Sequence, residues 1–220
     1  MGVDLLSCWF SPYGMRVQVA LAEKGVGYEF KEENLLAGKS PLLLQSNPVH
    51  KKIPILLHDG KPVCESLVIL SYIEEAWPET APMLPPAADP LARAHARFWA
   101  DFVDKKIMDG SVNIWKSNGE AAAEAAKAFI ESLKVLEGEL GEKKYFGGKV
   151  FGLVDITLAP LMAWYYAYEK YGGFSMEAEV PKLMAWGKRC LEKESVAKSL
   201  PEPEKVYGFV GQVRKMFGLE

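Results

Sequence analysis

The sequence predicts two domains of different class, a small α/β domain followed by an all-helical one. Three observations predict it. As far as Trp77, short apolar runs with strand character alternate with stretches of helical period. From Pro78 to Pro90, turn formers and prolines cluster, Pro82, Pro85 and Pro86 among them. Beyond Pro90, glycine and proline thin out and helical patterns dominate. A chain of 220 residues is long enough to bury one large core or two small ones, and 49% hydrophobic with 25% charged residues is an ordinary globular balance. The expected boundaries are residues 1–78, a linker over 79–89, and 90–220.

The elements follow in order. Leu5 to Cys8 reads as a short strand. Ser11 follows as an N-cap, with Pro12 at the first helical position, where its missing N–H costs nothing. The helix runs from Pro12 to Lys24 on Val17, Ala20 and Leu21, and Gly25 stops it. Tyr28–Lys31 is a second strand. A loop with Gly38, Lys39 and Ser40 leads to a short polar segment ending at Asn47-Pro48. Pro54 to His58 and Pro62 to Cys64 form a hairpin about Asp59-Gly60, and Ser66 is expected to cap a helix over Leu67–Trp77. The later helices are expected from Pro90 to Trp115, Ala121 to Leu140, Val154 to Tyr171, Pro181 to Glu192 and Glu204 to Phe217.

Several function classes drop out. A formal charge of −3 without a long basic run argues against nucleic acid as a partner. The N-terminus has neither the basic region nor the apolar stretch of a signal peptide, and Leu6 stands where a myristoylation site needs Ser or Thr. No apolar run is long enough to span a bilayer, so no membrane partner is expected. Cys8, Cys64 and Cys190 are odd in number and scattered, which favours a reducing, cytoplasmic setting over a disulfide framework. His50, His58 and His95 are isolated from one another and from the cysteines, so no metal site is expected.

A small set of residues carries chemistry. A hydroxyl at a helix N-terminus just past a strand, as at Ser11, can donate a hydrogen bond to an anion such as a thiolate; it can equally be a simple cap. Glu65-Ser66 follows a strand and opens a helix. The carboxylate can pair with an ammonium group, while the Ser66 hydroxyl and adjacent N–H groups can hold a carboxylate, together suiting an α-amino acid end. If the Ile53-Pro54 bond is cis, the Ile53 N–H and C=O are turned outward and can pair with a peptide; a trans proline heading a strand is the plainer alternative. Lys39 and Lys52 lie on loops that can close over the same site and pair with a second carboxylate. A γ-Glu-Cys-Gly tripeptide presents this same order of groups. Cys8-Trp9-Phe10-Ser11 has redox-motif spacing, but the helix-start position belongs to Ser11, so Cys8 reads as a core or pocket-wall residue.

The runs Ser11-Pro12-Tyr13-Gly14-Met15-Arg16-Val17, Asn47-Pro48-Val49-His50-Lys51-Lys52-Ile53-Pro54, Cys64-Glu65-Ser66-Leu67, Arg97 to Lys106 and Tyr145-Phe146-Gly147-Gly148 resemble plant tau-class glutathione transferases. The resemblance extends from about Leu5 to Phe217. It implies a thioredoxin-like glutathione-binding domain, an all-helical domain with the electrophile pocket, a homodimer, and conjugation of glutathione to hydrophobic electrophiles. It also implies that Ser11 activates the thiol and that Ser11, Lys39, Lys52, Ile53, Glu65 and Ser66 bind glutathione. Around the electrophile, Trp9 and Phe10 are expected from the first domain because they adjoin Ser11 in sequence, and the resemblance implies Met108, Val112, Trp115, Trp164, Phe209, Val213 and Met216 from the second, with core packing as the competing role for each. Gly152-Leu153-Val154-Asp155 resembles the family's capping segment, with Asp155 structural and, for want of a side chain at Gly152, only half a capping box.

The magnitudes allow the chemistry. A thiol near pKa 8.5 is a few per cent ionised at neutrality, and lowering it by about two units takes about 2.7 kcal/mol. A charge-assisted hydrogen bond from Ser11 supplies about 1.5–3 kcal/mol, and the helix terminus about 0.3–1 more. Arg16, one turn on, adds positive field or forms a salt bridge. Glutathione peroxidase activity on organic hydroperoxides uses the same thiolate. A non-catalytic carrier of hydrophobic ligands or glutathione adducts is the alternative.

Overall fold

A computed structural model describes residues 2–219, and the chain divides into two compact units between Leu84 and Pro85. In the first unit the elements are β1 (Val3–Ser7), α1 (Pro12–Glu23), β2 (Glu29–Glu32), α2 (Pro41–Ser46), β3 (Ile55–His58), β4 (Lys61–Cys64) and α3 (Ser66–Ala76). The strands form one sheet in the order β2-β1-β3-β4. β1 and β2 are parallel, as a crossover through α1 demands, with Leu5 opposite Phe30. β3 runs antiparallel to both β1 and β4, placing Leu5 opposite Leu56 and Leu56 opposite Val63. Central β1 is buried along almost its whole length, whereas edge strands β2 and β4 are polar, and Pro62 sits on an edge, where it takes no donor from the ladder. Asp59 and Gly60 turn the β3–β4 hairpin with φ of 50° and 75°, the left-handed pair a tight two-residue turn requires.

Two local readings are corrected. The polar segment before Asn47 contains helix α2. Its start repeats the Ser-Pro device of α1: Ser40 Oγ accepts the Leu43 N–H at 3.0 Å and Pro41 takes the first turn. Leu43 then packs with Leu6, Ile55 and Leu57 beneath the sheet. Ser66 is not a cap: it is the first residue of α3, and Glu65 occupies the cap position with φ 70° and no side-chain capping bond. Lys24, buried at the end of α1, bonds the Trp77 carbonyl at 3.2 Å and pairs with Glu74 at 2.7 Å. Glu74 in turn accepts the Met83 and Leu84 N–H groups, holding the end of the unit to α3.

The second unit comprises α4 (Pro90–Phe102), a π-helical segment Val103–Met108, α5 (Asp109–Lys116), α6 (Gly119–Leu140), α7 (Leu153–Leu158), α8 (Leu161–Gly172), α9 (Met176–Glu179), α10 (Pro181–Leu191), α11 (Glu194–Ala197) and α12 (Pro203–Met216). The helix expected from Pro90 onwards is continuous to Lys116 but passes through the π-helical turn. The helix expected over 154–171 is two, because Pro160 has no N–H to continue the ladder. Every residue of α7 is buried. Asp155 on it accepts from the N–H groups of Gly152 and Phe146, each at 3.0 Å, and from Trp186 Nε1 at 2.8 Å. Burial pushes this carboxyl up and the three donors pull it back. The unit is thus stitched from three separate stretches through one carboxylate.

Candidate active site

Ser11 is where local sequence and site geometry meet. Its backbone is extended, its N–H donates to the Cys8 carbonyl at 3.0 Å, and its Oγ accepts the Gly14 N–H at 3.2 Å. An oxygen that accepts this bond keeps its own hydrogen to donate. The hydroxyl is held against the first turn of α1 with the residue 6% exposed. Gly14 makes the close approach of strand and helix possible, since a Cβ there would lie 2.0 Å from Ser7 Oγ. Cys8 follows β1 in full burial, and burial together with the charge of Glu32 pushes its thiol up to about 12. It is a core residue with no thiolate to offer near neutrality.

Arg16 is wholly buried, with its guanidinium over the Tyr13 ring, and Nη1 donates to Ser66 Oγ at 3.1 Å. The N-terminal turns of α1 and α3, which carry Ser11 and Ser66, are therefore linked through one cation. Sequence reading set a field contribution beside a salt bridge for Arg16; the structure buries it and adds a bond to a hydroxyl on α3. Glu65 beside Ser66 leaves its side chain 54% exposed, with His50 Nε2 at 4.0 Å.

Two clamps that the sequence did not single out hold the remaining candidates. Buried Asn47 ends α2, accepts the His50 N–H at 3.0 Å on Oδ1 and donates from Nδ2 to the Lys52 carbonyl at 3.0 Å. That fixes the loop leading to Ile53, whose peptide bond to Pro54 is cis. Glu33 accepts both the Ser40 N–H and the Ser40 hydroxyl, closing the loop that carries exposed Lys39. Asn47-Pro48 was read as the end of a polar segment and as part of a family-like run, with no role for the Asn47 side chain; an Asn before a chain reversal is the signal that was available.

Trp9 and Phe10 are half-buried with their rings in an edge-on pair, and Trp9 N–H donates to Glu32. In the second unit, contacts draw Met108, Trp115 and Trp164 together. The Trp115 and Trp164 rings lie 6.0 Å apart, Trp164 stacks on Tyr168, Tyr168 meets Ser111 Oγ at 3.0 Å, and Ser111 Oγ donates to the Met108 carbonyl. Met108, Trp164 and Val213 are buried, Val112, Trp115 and Phe209 half-buried, and Met216 is 67% exposed. Among the described residues no group of three or more His, Cys, Asp or Glu side chains is placed to hold a metal.

Comparison with known proteins decides the family. The sequence model described as "Glutathione S-transferase, N-terminal domain" matches residues 1–75, and that described as "Glutathione S-transferase, C-terminal domain" matches residues 84–194. The chain belongs to the glutathione S-transferase family. A probable glutathione S-transferase of Nicotiana tabacum, parC, is 57% identical over 99% of this chain and 98% of its own length. Glutathione S-transferase U25 of Arabidopsis thaliana is 55% identical over 99% and 97%. Among solved structures, rice GST1 in complex with glutathione superposes with a TM-score of 0.93 at 51% identity, covering 98% of this chain and 99% of its own. A tau-class glutathione S-transferase from mango gives a TM-score of 0.88 at 41% identity, covering 96% and 98%. This glutathione S-transferase is of the tau class. Its α/β unit is thioredoxin-like and its second unit all-helical, the fold class expected from sequence.

Proposed function

We propose that the chain conjugates glutathione to hydrophobic electrophiles, with Ser11 as the group that stabilises the thiolate. The observation that carries this reading is the Ser11 hydroxyl, which caps α1 with its lone pair and retains a hydrogen to donate. Glutathione's thiol gives its proton to solvent, and the sulfur's charge is held by that O–H together with the positive end of α1. The thiolate then attacks the electrophile, by substitution with loss of a leaving anion or by conjugate addition followed by protonation of the product. Ser11 is a hydrogen-bond donor and forms no covalent bond.

In the same reading, Glu65 takes the ammonium of the γ-glutamyl end and Ser66 with the first N–H groups of α3 takes its carboxylate. Ile53 pairs with the tripeptide backbone, and Lys39 and Lys52 take the glycyl carboxylate. The electrophile lies against apolar residues drawn from Trp9, Phe10, Met108, Val112, Trp115, Trp164, Phe209, Val213 and Met216. We further propose a cytoplasmic homodimer, an arrangement supported by the solvent-facing Leu91 and Phe98 of α4. No described helix is long and apolar enough to cross a membrane.

The test is titration of bound glutathione by its thiolate absorbance in the ultraviolet, alongside turnover of a chloro-dinitro-arene. The expected result is conjugate formation and a bound thiol ionised about two pH units below its free value. A bound thiol that titrates like the free one overturns the role of Ser11. Binding of apolar dyes without turnover replaces the enzyme with a carrier.

A further inference from the structure

We propose that Arg214 is a positioning residue that sets which electrophiles the second unit accepts; this rests on reading Trp115 and the α12 residues as electrophile contacts. Arg214 lies on α12 and is 5% exposed. Its Nη1 donates to the carbonyl of Trp115 at 2.6 Å and to that of Ser117 at 3.2 Å, and its Nη2 to Asn118 Oδ1 at 2.5 Å. The guanidinium lies over the Tyr171 ring of α8, 4.2 Å from its centre. The knot is closed from the other side. Asn118 Nδ2 donates to the Leu219 carbonyl at 2.9 Å, and the Leu219 N–H donates to the Arg214 carbonyl at 3.0 Å. The cation thus ties α5, α8 and α12 together, and Asn118 with the Arg214 carbonyl adds the residues after α12.

The acceptors explain why this tie bears on specificity. The last carbonyls of a helix have no partner within it, and Arg214 satisfies those of α5 at the residue whose indole is a candidate contact. On α12, Phe209, Val213 and Met216 recur at the spacing of a single helical face. Arg214 sits one residue from that stripe, so its bonds fix the rotation and height of the stripe relative to Trp115. Thiol activation is assigned to Ser11, which belongs to the other compact unit. A change at Arg214 is therefore expected in electrophile fit and not in glutathione affinity. Lysine cannot substitute: a single ammonium has no planar fork to reach three acceptors while lying flat on a ring.

The test compares wild type, Arg214→Lys and Asn118→Ala, the last removing one acceptor and the Leu219 tie only. The kcat/KM values are measured for a small and a bulky isothiocyanate, with KM for glutathione and the affinity of an apolar fluorescent dye. The ratio of bulky to small kcat/KM is expected to change at least about fivefold in Arg214→Lys, and in the same direction but less in Asn118→Ala, with KM for glutathione within about twofold of wild type. A ratio unchanged within about twofold in both folded variants overturns the proposal, leaving Arg214 a stabilising contact; so does an equal loss in glutathione affinity. If Arg214→Lys does not fold, Asn118→Ala decides alone. If wild type conjugates nothing, the proposed function fails, and the dye then decides for Arg214: an altered affinity sustains its role and an unaltered one ends it.

Discussion

The two units of this molecule hold their candidate residues by different means. In the first, the bonds that place them are mostly local: Gly14 to Ser11 and Leu43 to Ser40 span three residues, as does His50 to Asn47, and Asn47 to Lys52 spans five. In the second they join distant stretches: Trp186 to Asp155 spans 31 residues, Ser111 to Tyr168 spans 57 and Arg214 to Trp115 spans 99. Caps and turns are properties of short peptides and leave a mark in sequence. Contacts between helices depend on how a whole unit packs. Arg16 to Ser66, across 50 residues, and Trp9 to Glu32, across 23, depart from this in the first unit, and no local rule in the sequence announces either.

The largest effect is expected where long-range contacts converge on a buried charge. Asp155→Ala strips three donors of their acceptor and should cost about 3–5 kcal/mol in denaturant unfolding. A loss below about 1 kcal/mol would show that the second unit does not depend on its distant contacts.

Ser11→Ala should lower conjugation about 25-fold at pH 7, by the fall in thiolate fraction that a two-unit rise in thiol pKa from about 6.5 to 8.5 brings. It should lower stability by only about 1 kcal/mol, the worth of a cap. Steady-state rates set beside a melting curve separate the two, and a variant whose activity falls only in step with folding would make Ser11 a cap alone.

Gly14→Ala drives a methyl into Ser7 Oγ and should cost about 1–3 kcal/mol as β1 and α1 separate. Its measure is a denaturation midpoint, together with raised KM for glutathione. Ser40→Ala should cost about 1 kcal/mol through the lost cap of α2, and a rise in KM for glutathione would tie that cap to Lys39.

The smallest expected effect is chemical. Burial pushes all three thiols up, Cys8 to about 12, with Glu65 adding to the effect at Cys64; Cys8 and Cys190 are buried, whereas Cys64 is half-exposed and open to reagent. Alkylation of the folded protein at pH 8, followed by mass spectrometry, should label Cys64 alone. Labelling of Cys8 at a similar rate would mean that the end of β1 opens readily.

Most of the first unit was legible. Alternating strand and helix signals, Asp59-Gly60, and Ser11-Pro12 each state a local rule in neighbouring residues. Helix α2 was missed although Ser40-Pro41 obeys the same rule, because Pro-Leu-Leu-Leu-Gln-Ser is too short for a helical period to declare itself. The misplaced start of α3 came from reading Ser66 by residue preference; its hydroxyl is engaged by Arg16, and Glu65 takes the turn with φ 70°. In the second unit, helices were legible and their breaks less so: Pro160 was visible, but the π-helical turn at Val103–Met108 has no sequence mark. Met108 and Trp164, read as pocket candidates, are buried in a network that no spacing discloses.

The order of elements, the caps at Ser11 and Ser40, the hairpin and the half-box at Asp155 were settled by neighbours along the chain, since each satisfies backbone groups within a few residues. The bridging of Ser66 by Arg16, the shared carboxylate of Asp155 and the knot at Arg214 were settled by folding alone. A buried polar side chain must find partners wherever the packed backbone puts them, and that address is not written beside it.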